Sequence, residues 1–169
     1  MLSSQWKKLL ISACTEIFET CNATDLTVME VDAGVVTEES ALTFIGFTGP
    51  VIRGGLIVAA PLTMLRNLYP DVDPEWKPSD EDLRDWLGEL TNQILGSIKN
   101  QLLAFDVTFL LGTPASLSVG ALRSGSEDDN EQQVLVFRWE EWEFLVQFKV
   151  NGAALIKFRD RQPGHHALQ

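Results

Sequence analysis

The chain has 169 residues, 45% of them hydrophobic, an ordinary composition for one globular domain. A chain of that length can bury roughly 70% of the surface it exposes when unfolded, so neither a structural metal nor a disulfide framework is needed to hold it. The formal net charge of -11 repels phosphate backbones and anionic membrane surfaces, which argues against a nucleic-acid partner and favours a partner carrying a basic patch.

Ser3 or Ser4 can cap a first helix running to about Thr20, with Trp6, Leu9, Leu10, Ala13, Cys14, Ile17, Phe18 and Cys21 at helical spacing. Cys14 and Cys21 lie about two turns apart, roughly 10 Å, which is too far for a disulfide and fits core packing. Strands are predicted over residues 26–36, 41–48 and 51–60, the second stopped by Gly49-Pro50. Pro61 suits the first turn of a short helix ending before Pro70, and the proline-rich residues 70–78 form an ordered loop. Ser79 then caps a long helix to about Leu103, with Asp80, Glu81 and Asp82 in the first turn, where the helix dipole favours negative charge.

Residues 106–111 read as a strand, Gly112-Thr113-Pro114 as a turn, and 115–119 as a further short strand. The Ser, Gly, Asp and Glu run over 124–132 cannot bury a face and is predicted to be a mobile hairpin loop. Residues 134–139 and 142–150 alternate around Glu140-Glu141 as a hairpin that sets Trp139 against Trp142, either at the end of the core or at a subunit contact. His165 and His166 sit in a tail with no nearby cysteines, so no metal site is expected. The apolar run after Lys7 and Lys8 is broken at Glu16, too early for a secretory leader. No run approaches the roughly 20 residues of a membrane span, and the chain reads as soluble and cytoplasmic. The order of elements, without regular strand-helix alternation, predicts an α+β fold: a mostly antiparallel sheet with two long helices packed on one face. Residues 1–160 are expected to form one domain and 161–169 a C-terminal tail.

The long helix is the most informative piece. At about 100° per residue, Leu83, Leu87, Leu90, Ile94 and Ile98 fall within about 80° of one another, and Asp85, Glu89, Asn92, Gly96 and Lys99 fall within a second such arc roughly opposite. The polar arc could be a solvated surface. Two of its residues fit that reading poorly, because Gly costs about 0.8–1 kcal/mol relative to Ala inside a helix and Asn is also a weak helix former. With no core to pack on that side, Gly96 is suited to letting another molecule's backbone come close.

Asp85, Glu89 and Asn92, followed by Gly96, Lys99 and Pro114, resemble the signature of the CheC/CheX/FliY phosphatases of bacterial chemotaxis, which remove phosphate from the aspartate of the response regulator CheY. The helix, strand and hairpin layout extends the resemblance over nearly the whole chain. It is CheX-like, with one site per chain where CheC typically has two. A second candidate, Glu19-Thr20-Cys21-Asn22, lacks the rest of the pattern: Leu26 stands where the glycine should be and Met29 where the lysine should be. The interval between Asn92 and Pro114 is one residue shorter than usual, which leaves Pro114 a turn-shaping role more readily than a substrate contact.

The resemblance implies that Glu89 and Asn92 are the catalytic pair, Glu89 engaging the regulator's active-site lysine and Asn92 holding the attacking water. Gly96 would permit close approach, and Asp85 and Lys99 would make peripheral partner contacts. Mg²⁺ and the phosphoaspartate would both belong to a CheY-like partner, leaving this chain without a cofactor. A homodimer formed through the sheets is implied as well. Two other readings stand beside this one: a non-catalytic CheX-like module that docks regulators or a flagellar switch or signalling partner, and an acidic structural domain whose helix face is merely solvated.

Overall fold

A computed structural model describes residues 2–31, 33–36, 38–70, 73, 75–120, 122–125 and 131–158. The first helix, α1, spans Ser4–Thr20 and buries Trp6, Leu10, Ala13, Cys14, Ile17 and Phe18. Both cysteines are free, and burial pushes the Cys14 thiol well above its ordinary pKa, consistent with an inert core residue. The segment predicted as one strand over 26–36 is two, β1 (Thr27–Glu30) and β2 (Ala33–Val36), which join different sheets. Local alternation cannot reveal this, because the division is decided by which distant strand pairs with each half.

The next strands, β3 (Ser40–Thr48) and β4 (Arg53–Pro61), pair over their full length, from Ser40 opposite Pro61 to Thr48 opposite Arg53. β4 starts two residues later than predicted and Pro61 ends it, preceding rather than opening the short helix α2 (Leu62–Leu68). The long helix α3 spans Asp80–Leu103 behind Ser79, as predicted. A capping box closes its start: Ser79 Oγ accepts from the Asp82 backbone N–H at 3.2 Å, and Asp82 Oδ2 accepts from the Ser79 N–H at 2.8 Å. The bonds from Ser79 hold the Asp82 carboxyl below the usual carboxylate range.

At the other end of α3, Asp106 adopts a left-handed φ of 58° while the Val107 N–H bonds back to the Leu102 carbonyl at 3.2 Å. This helix stop uses residues predicted to be strand, so β5 is reduced to Leu110–Leu111. β6 (Ala115–Val119) follows, then β7 (Leu122–Gly125), β8 (Gln132–Trp139), β9 (Trp142–Asn151) and a one-turn 3-10 helix over Ala153–Leu155. The end of β7 and the first residue of β8, Gln132, occupy part of the predicted mobile loop. Its residues 126–130 lie outside the described residues, as do 161–169 with His165 and His166.

The main sheet has seven antiparallel strands in the order β1-β8-β9-β4-β3-β5, with β6 also paired to β3. Its inner face carries Ile45, Leu56, Val58, Leu135, Phe137, Phe144, Val146 and Phe148, which share one core with α1, α2 and α3. The α+β architecture with the long helices on one face is therefore as expected. α1 is seated by rings: Phe18 stacks on Phe144 at 4.2 Å and Trp6 lies 5.7 Å from Phe148. On the outer face, the β2–β7 ribbon covers Ala59, Val134 and Leu145 with Val36. Trp139 and Trp142 stack at 5.3 Å across the hairpin and pack, half-buried, against the main core, which favours the core-end reading of that pair.

Candidate functional site

The inward face of α3 is the predicted stripe, with Leu83, Leu87, Leu90, Ile94 and Ile98 all buried. The buried arc is wider than the stripe, because Gly88, Thr91, Leu95 and Leu102 are buried too. Thr91 satisfies its hydroxyl within the helix by donating to the Leu87 carbonyl at 2.7 Å. The added arc faces β3 and β6, where Arg84 Nη1 donates to Ser118 Oγ at 2.7 Å. Beneath Gly88, Thr43 Oγ1 and Ser116 Oγ share a 2.8 Å hydrogen bond between neighbouring strands. The helix is thus clamped on the sheet along most of its length.

The outward face divides the predicted site residues. Asp85 and Glu89 are exposed, while Asn92, Gly96 and Lys99 are half-buried. Asp85 and Glu89 line an open groove of about 500 Å³ together with Asp82, Trp86 and Gly88 of the same helix. Its other walls are Tyr69, just beyond α2, Pro114, just before β6, and Ser116 within β6. Pro114 therefore stands across from Glu89 in the wall of the groove, closer to the site than its turn-shaping role required. Tyr69 also contacts Trp86, a second aromatic ring of the lining, and Trp76, with ring centroids at 5.2 and 5.6 Å.

Gly96 belongs to a different groove, of about 540 Å³, between α3 and α1, lined also by Glu16, Ile17, Gln93, Ser97, Asn100 and Gln101. Ser97 Oγ donates to Glu16 Oε2 there at 2.7 Å. A Cβ built on Gly96 would meet nothing within 4 Å, so nothing in this chain's own packing demands a glycine at that position. Asn92 lines neither groove; it lies between them on the helix, one turn from each of Glu89 and Gly96. Among the described residues, no side-chain hydrogen bond or ion pair ties down Asp85, Glu89, Asn92 or Lys99. A carboxylate and a carboxamide are therefore held one turn apart on a fixed backbone, the first able to meet a cation and the second able to donate and accept at once.

The alternative pair Glu19 and Asn22 does not form such a face, because α1 ends at Thr20 and Asn22 has a left-handed φ of 65°. Among the described residues, no group of three or more His, Cys, Asp or Glu side chains could hold a metal ion. Nor is any helix among them long and apolar enough to cross a membrane. Sequence reasoning missed Gly88, although a second mid-helix glycine directly before Glu89 carries the same helix penalty as Gly96.

The chain is thus an α+β domain that clamps one long helix on a mostly antiparallel sheet and turns the polar face of that helix outward. The family model for the chemotaxis phosphatase CheX matches residues 41–138, more than half of the chain, and the chain belongs to that family. No curated protein matches it. Solved structures share the fold. A CheC-like superfamily protein from Shewanella sp. PV-4 is 19% identical with a TM-score of 0.71, the match covering 89% of this chain and 100% of that one. The chemotaxis protein CheX from Vibrio vulnificus is 15% identical with a TM-score of 0.70, covering 88% and 100%. A chain of the CheX–CheY–BeF3–Mg2+ complex from Borrelia burgdorferi is 15% identical with a TM-score of 0.58, covering 85% and 96%.

Proposed function

We propose that this chain is a protein-aspartyl phosphatase that dephosphorylates a phosphorylated CheY-like response regulator by positioning the attacking water. The observation that carries the reading is the pair Glu89 and Asn92, unbonded and one turn apart on the outward face of a helix whose inward face is fully packed. Membership in the CheX family, and the CheX–CheY complex formed by a protein of the same fold, support it. Hydrolysis of an aspartyl phosphate proceeds through a loose transition state and asks for in-line positioning more than for a strong base. The Asn92 amide can hold water without placing a negative charge near the phosphoryl group. Glu89 pairs with a lysine of the regulator, and the regulator brings the phosphoaspartate and Mg²⁺. Asp85 and Lys99 make contacts at the periphery, and Gly96 lets the partner's backbone approach.

The direct test is phosphate release from each response regulator of the source organism, with and without the purified protein. The expected result is a shortened lifetime for one phosphorylated regulator. A lifetime that is unchanged or longer for all of them would leave a binding module in its place. The protein is also proposed to work in the cytoplasm as a homodimer joined through its sheets. Phe44 and Leu117, 45% and 48% exposed on the outer face of the β3–β6 edge, supply apolar surface for such a contact. Sedimentation as a monomer across micromolar concentrations would remove the dimer from the account.

A further inference from the structure

We infer that Gly88 is a positioning residue of this site: its missing side chain lets α3 rest on the hydroxyl pair of Thr43 and Ser116, and that seat sets where Glu89 and Asn92 stand. The inference rests on the phosphatase reading above. Gly88 is buried in the middle of α3, where glycine is the poorest helix former after proline, so the position needs a reason in packing. A Cβ built there would lie 3.3 Å from Ser116 Oγ and 3.9 Å from Pro114 Cβ. The first contact is tighter than side chains normally tolerate, whereas the second is ordinary.

Ser116 Oγ is not free to swing away without loss. It shares the 2.8 Å bond with Thr43 Oγ1, and Thr43 is fully buried. Any side chain at position 88 must therefore push Ser116 Oγ aside by a few tenths of an ångström, straining its bond to Thr43, or lift the helix from β6 by as much. Gly96 is the contrast, since a Cβ there meets nothing within 4 Å. One glycine clears space for a partner; the other brings the helix down onto its own sheet. The consequences for the two polar residues differ. Glu89 has a long side chain that can follow a displaced backbone, but Asn92 is short and must hold a water in line with the leaving oxygen.

The test compares Gly88→Ala in the wild-type background and in a Ser116→Ala background, measuring melting temperature and dephosphorylation kinetics together. The better helix propensity of alanine offsets the strain at Ser116, so Gly88→Ala should leave the melting temperature close to the wild-type value. It should nevertheless lower kcat by about three- to tenfold with a smaller change in KM, the mark of misplacement rather than lost docking. In the Ser116→Ala background, where the tight contact is gone, the same change should cost less than about twofold, showing that the two sites are coupled. A wild-type kcat in Gly88→Ala, or an equal loss in both backgrounds, overturns the inference while leaving the phosphatase reading intact. An inactive wild-type protein overturns the phosphatase reading, and this inference with it.

Discussion

Replacing Asn92 with alanine is expected to leave a folded protein that still binds the activated regulator but accelerates phosphate loss at least about a hundredfold less, the scale for losing one group that acts only in the transition state. The fold should tolerate the change because Asn92 bonds to no other side chain among the described residues and sits on the outward side of α3. Alanine is also the better helix former, so the melting temperature should not fall. An interaction made only in the transition state appears in kcat and kcat/KM equally, with KM little changed. Phosphate release under saturating Asn92→Ala protein, paired with a circular dichroism spectrum, measures both halves of the prediction. An unaltered rate would move the chemistry away from this residue and favour the docking-module reading.

Glu89→Ala should fail in a different way. A carboxylate paired with a lysine inside a protein–protein cleft, once truncated, strands the partner's charge, at a cost of about 2 kcal/mol or more. That corresponds to a rise of at least about thirtyfold in Kd, measured by titrating a beryllofluoride-loaded regulator against each protein. The exposure of Glu89, and the lack of a side-chain partner for it among the described residues, mean that this chain's own stability should not register the change. An unchanged Kd would show that Glu89 is only a solvated surface residue. The two variants together separate docking from hydrolysis, since one is expected to act through Kd and the other through kcat.

Much of the candidate site was legible in the sequence because it lies on one helix. Helical periodicity assigns each residue of α3 to a face without reference to any other element, and the buried stripe Leu83, Leu87, Leu90, Ile94 and Ile98 is as the angles predict. Ser79 as the cap was equally local, since the bond it makes is with Asp82, three residues on. What failed were readings that depend on distant partners. Residues 26–36 divide between two sheets because β1 pairs with β8 and β2 with β7, across about a hundred residues of sequence. The strand predicted from residue 106 gave way to a helix stop, since a left-handed Asp106 and a bond to the Leu102 carbonyl outweighed the alternation of Val107 and Phe109.

The amino-acid sequence by itself determined that this chain carries a long two-faced helix with Asp85, Glu89, Asn92, Gly96 and Lys99 on the polar side, because helix geometry is fixed by local backbone rules. It also determined the likeness to the CheX phosphatases, which the family match bears out. Only the tertiary structure decided that the polar face borders two grooves, with Glu89 opposite Pro114 in one and Gly96 beside α1 in the other. Only the tertiary structure, likewise, distinguished Gly88 from Gly96. Both are glycines of one helix, but the space around each is set by what packs against it: β6 closes over Gly88, and nothing in this chain closes over Gly96.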